Sequence, residues 1–223
     1  MHPVSCVGTS CSGGVLGLRE QKKRAKLERL EAEGLRLFLE DGYDRASIEQ
    51  IASSAGVARG TFYLYFKDKH ALFAALRDRW AEVVLGLLDD VAHALEGAQT
   101  VEECIEIYRG LGTGLVLVGL ANRDEILLTF RESRRAGEAG EGLRAIEVAI
   151  LDKVTAFTED VSKRGLLNIE NPRLWCIIVF GAVERLFYET LLEADLGDPD
   201  LLAEQVIKML ASGMGVTIKS PTG

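Results

Sequence analysis

SIEQIASSAGVARGTFYLYFKDKH, Ser47 to His70, is the stretch on which the reading of this chain turns. Ser47 followed three residues later by Gln50 spells a capping box, in which side chains and backbone exchange hydrogen bonds across the first turn of a helix. Ile48, Ile51, Ala52 and Ala55 then recur at helical spacing. Gly56 stands where a helix end needs a left-handed backbone, and Val57 fills the inside of the turn. A second short helix is expected from about Ala58 to Tyr65, bearing Arg59, Thr61, Tyr63 and Tyr65. Asp68 offers the cap of a third helix, with Lys67 and Lys69 beside it.

Helix, glycine-containing turn, helix is the shape of a helix-turn-helix, whose second helix enters the DNA major groove. A bare helical hairpin has similar spacing. The content of the second helix favours DNA. Gly60 and Thr61 are small enough for close approach, and a cation and two phenols can donate to phosphates or base edges.

The run GVARGTFYLYFKDK, Gly56 to Lys69, resembles the DNA-binding signature of TetR-family transcriptional regulators. LFLEDGYDRASIEQIASSA, Leu37 to Ala55, matches the rest of that signature. The resemblance covers about Leu30 to Leu76; beyond it the family shares architecture and no motif. It implies an all-α fold: an N-terminal three-helix DNA-binding domain and a larger C-terminal helical domain for ligand binding and dimerisation. The divisions expected are a flexible segment 1–18, the DNA-binding domain 19–66 and the larger domain 67–223. By position, Ser47 matches the helix cap that binds phosphate, and Arg59, Gly60 and Thr61 match the base-reading positions. Tyr63 matches a phosphate-binding tyrosine, Tyr65 a frequent further contact, and Lys69 a lysine on the DNA backbone. Ala58 departs from the pattern, because the family usually caps this helix with Ser or Thr.

Charge agrees with one-sided contact to DNA. The chain of 223 residues has a formal net charge of −8. Arg19 to Trp80 carries a net +3, from 13 Lys and Arg against 10 Asp and Glu, which leaves −11 on the remainder. A mildly basic segment on an acidic body resists indiscriminate adhesion to nucleic acid. Met1 to Leu18 contains no Lys, Arg, Asp or Glu and reads as flexible. Arg19 to Lys26, REQKKRAK, is either a solvated first turn or a basic arm that reaches DNA.

Outward from the central stretch, every segment reads as helix. Glu20 to Asp41 carries the stripe Leu27, Leu30, Gly34, Leu35, Phe38 and stops at Gly42. A helix of about seven turns runs from Asp68 to near Gly97, a lever from the DNA into the body. Thr100 and Glu103 form a second capping box for a helix to Ala121. Helices are also expected from Asn122 to about Arg135, Leu143 to Arg164, Pro172 to about Ala194 and Asp200 to about Ala211. The segment Ala136 to Gly142, AGEAGEG, reads as a glycine-rich loop without the ending of a phosphate loop.

The three histidines are isolated and no HExxH, GxSxG or P-loop occurs, so neither an enzyme nor a cofactor is expected. Cys6 and Cys11 lack the partners of a zinc site, so no metal is expected, while Cys104 and Cys176 read as small core residues. No secretory signal is visible, and the longest apolar run, Leu111 to Ala121, falls short of the ~20 residues that span a bilayer. A cytoplasmic protein with no membrane contact follows.

The expected partners are a palindromic double-stranded operator, a second copy of the chain and a small, largely lipophilic effector that releases a repressor from DNA. An alternative keeps the fold but replaces the effector by a protein partner. Candidate polar groups of the effector pocket are Tyr108, Thr113, Asn122, Thr129, Arg131, Trp175, Glu184 and Tyr188, amid Leu, Val, Ile and Phe. The last two helices are apolar on more than one face, which places the dimer contact on Ile178, Gly181, Leu186, Phe187, Val206 and Leu210.

Overall fold

The computed structural model describes residues 17–133 and 138–192, together with Gln205, Val206, Lys208, Met209 and Ser212. The segment 1–18 therefore lies almost wholly outside the described residues, as does Leu210. Eight helices cover the described chain, with no strand among the described residues: α1 (Leu18–Glu40), α2 (Ile48–Ser54), α3 (Arg59–Phe62), α4 (Lys69–Gly97), α5 (Val101–Ala121), α6 (Arg123–Ser133), α7 (Glu138–Lys163) and α8 (Pro172–Leu191).

Local chemistry sets most boundaries. Both capping boxes form: Gln50 N donates to Ser47 Oγ at 3.2 Å while Ser47 N donates to Gln50 Oε1 at 2.9 Å, and Thr100 with Glu103 repeats the arrangement before α5. Asp68 caps α4 by accepting from Ala71 N, and Asn171 caps α8 ahead of Pro172. Gly56 adopts φ +65° between α2 and α3, the left-handed backbone the turn requires.

Two expectations change. α3 ends at Phe62 rather than near Tyr65, and Tyr63 to Tyr65 form a turn. Without a side-chain cap at Ala58, four residues make too few internal bonds to stand alone. Phe62, fully buried between Tyr63 and Phe66, holds the segment by tertiary contact instead. The glycine-rich segment is also not all loop: α7 begins at Glu138, so Gly140 and Gly142 are helical. Gly142 is small for packing, since a Cβ there would lie 1.8 Å from Arg77 Nη1 on α4.

Two main cores organise the helices. The first joins α1–α3 to the start of α4 through Leu30, Phe38, Ile51, Phe62, Leu72 and Phe73, with Leu128 of α6 and Leu143 of α7 closing it. The second joins the rest of α4 to α5, α7 and α8 through residues such as Leu88, Leu95, Cys104 and Val161. α4 therefore runs through both, as a lever would. Gly34 makes the α1–α4 contact possible, because a Cβ there would fall 2.5 Å from Leu72 Cδ2.

Cys104 and Cys176 are buried free thiols, as expected of small core residues. α5 departs from the reading of its longest uninterrupted run. Taken whole, it is long and apolar enough to cross a bilayer, with a mean hydropathy of 1.4 and 17% of that stretch buried. Its exposed side carries Val116, Leu117 and Leu120, and Leu111 packs inward.

Candidate nucleic-acid interface and effector body

The α2–α3 unit presents a compact polar face. Arg59 and Gly60 are exposed at the start of α3, Thr61 is half-buried, and Tyr63 is 45% exposed beside them. No atom lies within 4 Å of where a Cβ on Gly60 would sit, so the surface is open to close approach. Arg59 Nη1 pairs with Glu49 of α2 at 2.7 Å, and Arg59 Nη2 donates to the Tyr63 hydroxyl at 3.5 Å. Both partners of the ion pair are more than half exposed, so the pair contributes little stability and the guanidinium can exchange Glu49 for another acceptor.

Other expected contact residues are engaged within the chain. The Ser47 hydroxyl is held by Gln50, donating to Oε1 at 2.8 Å and accepting from the backbone N. The Tyr65 hydroxyl donates to the Lys23 carbonyl at 3.1 Å, which ties the segment after α3 to the start of α1. Lys69 donates to the carbonyls of Tyr43, Asp44 and Ala46 at 2.6, 3.1 and 2.9 Å and lies 4.6 Å from the Tyr43 ring centre. An ammonium has three protons. These three bonds staple the α1–α2 loop to α4.

Leu64 was missing from the sequence expectation. It is 79% exposed next to the recognition segment, and it lines a groove of about 880 Å³ with Leu18, Arg19, Lys22, Lys23 and Lys26. The signal was present: Phe62 and Phe66 claim the buried side, so the residue between them must face out.

The residues expected around an effector pocket do not converge on one cavity. Thr113 is exposed and bonds its own helix at Arg109. Asn122 closes the end of α5 on the Val118 carbonyl. Thr129 is buried, accepting from Trp80 Nε1 at 3.1 Å and donating to the Glu125 carbonyl. Arg131 reaches the Leu39 carbonyl at 3.2 Å and lines a groove of about 570 Å³ with the α1–α2 loop, at the junction rather than in the body. Trp175 and Glu184 are half-buried on α8. Tyr188 packs edge-on against Phe130 at 5.8 Å. Tyr108 packs against the second core, as Trp175 does, and shares a hydrogen bond with Thr158 at 3.1 Å. Burial holds its phenol well above the ordinary tyrosine pKa, and burial likewise raises the Cys104 and Cys176 thiols.

On α8, Leu174, Ile177, Ile178 and Gly181 face outward. Leu186 is half-buried, and Val206 is half-buried in a helical stretch. Phe187 is half-buried: its ring lies on Gly119, where a Cβ would be 1.9 Å away, and meets Phe130 at 6.4 Å.

Comparison with known proteins decides the family. Residues 32–76 match the sequence family described as bacterial regulatory proteins, tetR family. Those residues place the DNA-binding segment of the chain in the tetR family of bacterial regulatory proteins. It is 23% identical over 195 residues to a fatty acid metabolism regulator protein of Bacillus subtilis, an alignment covering 87% of this chain and 98% of that one. In fold it is similar to FadR of Bacillus subtilis in complex with stearoyl-CoA, with TM-score 0.66, 19% identity, and 83% and 98% of the two chains covered. It is also similar to Thermus thermophilus FadR in complex with lauroyl-CoA, with TM-score 0.56, 20% identity, and 88% and 98% covered.

With this segment the chain is a DNA-binding transcriptional regulator and not an enzyme. The matched residues span the C-terminal part of α1, the helix-turn-helix and the first turns of α4.

Proposed function

We propose that the chain is a cytoplasmic repressor that grips a palindromic operator as a homodimer and lets go when a fatty acyl thioester binds its body. The outward face of Arg59, Gly60, Thr61 and Tyr63, beside Tyr65 and Lys69 whose polar atoms are bonded within the chain, carries this reading. Arg59 reads a base edge, and Tyr63 and the Ser47 end of α2 hold phosphates. The basic start of α1, Arg19 to Lys26, follows the backbone beside Leu64, which offers an apolar contact to a thymine methyl. Lys69 and Tyr65 act indirectly, by fixing the angle of the unit. The headpiece ends near Phe66, and α4 carries motion from the body to it.

A second copy covers the exposed α8 face. One recognition unit reads one half-site, so two-fold pairing yields a palindrome. The thioester reading is supported by the full-length relative named for fatty acid metabolism and by the acyl-CoA ligands of the two FadR structures. The apolar lining of the body suits the tail.

The test is selection of duplexes from a random pool, followed by gel shift with and without stearoyl-CoA. Palindromic duplexes should be enriched and then released by the thioester. Arg59→Ala should weaken binding to the selected duplex by about 1–3 kcal/mol and relax one base position. A pool with no palindromic preference would end the reading.

A further inference from the structure

A thread of polar side chains runs from solvent into the apolar body. At its outer end Arg173 Nη1 meets Asp152 at 2.6 Å and Thr155 Oγ1 at 3.3 Å. Thr158, one turn along α7 from Thr155, shares a hydrogen bond with Tyr108, and the free thiol of Cys176 is buried on the neighbouring α8. Exposure falls steeply inward: 44% for the Arg173 side chain, 6% for Thr155, 1% for Cys176 and zero for Thr158. Tyr108 and Thr158 satisfy one another, and Thr155 donates to the Leu151 carbonyl at 2.7 Å.

Such a thread is costly in a core of Leu, Val and Phe, because each buried polar group must keep a partner. One group goes without. Ser162, one turn beyond Thr158 on the same face of α7, has a buried hydroxyl with no hydrogen-bond partner among the described residues. Polar capacity therefore continues past the point where the protein uses it.

We infer that this thread is the subsite for the head of the effector: Tyr108 and Thr158 take the carbonyl of an acyl thioester, and the polar arm of the thioester leaves along Thr155 past Arg173. The inference rests on the effector reading above and assigns residues to it. Opening the Tyr108–Thr158 bond for a carbonyl exchanges one hydrogen bond for another, so the exchange is close to neutral. The acyl tail then lies against the apolar side chains of the second core.

The same geometry selects a neutral head. The cation of the thread, Arg173, stands at the rim, already paired with Asp152, and none of the inner groups is charged. A free carboxylate carried to Tyr108 would be buried without a counter-charge, which is far costlier than burying a carbonyl. The subsite thus distinguishes a thioester from the fatty acid it came from.

Calorimetric titration of the full-length protein with stearoyl-CoA and with stearate tests this, beside the variants Tyr108→Phe and Arg173→Gln. Tyr108→Phe keeps the ring against Phe157 and removes only the hydroxyl, and a ligand-free melting curve checks its fold. Loss of one hydrogen bond should weaken stearoyl-CoA binding about three- to tenfold in Tyr108→Phe. Arg173→Gln, a surface change that does not threaten folding, should weaken it as well, and stearate should bind wild type at least tenfold more weakly than the thioester. Unchanged affinity in both variants, with wild type still binding stearoyl-CoA, overturns the subsite and leaves the effector reading standing. Stearate binding as tightly as the thioester overturns the selection of a neutral head. Failure of wild type to bind stearoyl-CoA at all overturns the effector reading and this inference with it.

Discussion

The headpiece and the body of this molecule are finished to different degrees. In the headpiece Leu30, Ile51, Phe62 and Leu72 show no exposed surface, and its loop is stapled by Lys69 to three carbonyls. In the body, Leu117 and Leu120 of α5 are 62% and 63% exposed, and Ile178 of α8 is 61% exposed. Helix-forming residues and good caps are present in both. The difference lies in what each apolar face meets. The headpiece closes on itself, aided by Leu128 and Leu143 from the body, whereas α5 and α8 leave contiguous apolar faces of the kind that another molecule covers.

The largest expected effect tests that contrast directly. Phe62→Ala empties a fully enclosed site and should cost about 3–5 kcal/mol, with operator binding lost as α3 comes free. Ile178→Ala, studied at concentrations where the chain is monomeric, should change stability by no more than about 0.5 kcal/mol, as surface substitutions do. It should nevertheless raise the dimer dissociation constant. Denaturant unfolding and sedimentation measure the two quantities. Equal unfolding costs for the two variants in the monomer would abolish the distinction between a closed and an open region.

The contrast also explains what could be read from sequence. Ser47 with Gln50, Gly56, Thr100 with Glu103, and Asn171 before Pro172 are signals whose partners lie within four residues, and each marks a boundary that the structure keeps. Apolar spacing placed the long helices for the same reason. Lys69 and Tyr65 were read by position in a motif, yet their hydrogen bonds reach carbonyls 23 to 42 residues away. Gly142 looked like loop because its partner, Arg77, belongs to another helix. The contact of Phe187 with Gly119 likewise crosses from one helix to another. Of the expected pocket residues, Tyr108 reaches the polar thread, while Thr158 and Cys176, which complete it, carry no local signature.

Two glycines sharpen the comparison at intermediate size. A Cβ at Gly34 would stand 2.5 Å from Leu72, and Leu72 has no exposed surface into which to retreat. Gly34→Ala should therefore destabilise by about 1–3 kcal/mol despite the better helix propensity of alanine. At Gly119 the clash is closer on paper, 1.9 Å to the Phe187 ring, but that ring is only half-buried and can swing outward. The helix-propensity gain of roughly 1 kcal/mol then offsets much of the cost, and Gly119→Ala should lie within about 1 kcal/mol of wild type. Thermal unfolding of both variants checks this, and a more damaging Gly119→Ala would mean that the body is packed as rigidly as the headpiece.

The smallest effect concerns the two capping boxes, which differ in one titratable group. The α2 box in the headpiece closes on neutral Gln50, and the α5 box in the body closes on the carboxylate of Glu103. Hydrogen bonds from the backbone N–H groups of Gln99 and Thr100 hold the Glu103 carboxyl below its ordinary pKa. Because the folded value lies below the unfolded one, this stabilisation is fully present above the unfolded pKa and fades as the pH falls through the folded one. Glu103→Gln should accordingly lower the melting temperature slightly at neutral pH, and the deficit should vanish on acidification below the usual carboxylate range. Gln50→Ala, whose partner cannot titrate, should show a deficit that does not depend on pH. A Glu103→Gln deficit that persists in acid would mean that the carboxylate contributes only its shape, and that the two boxes are alike after all.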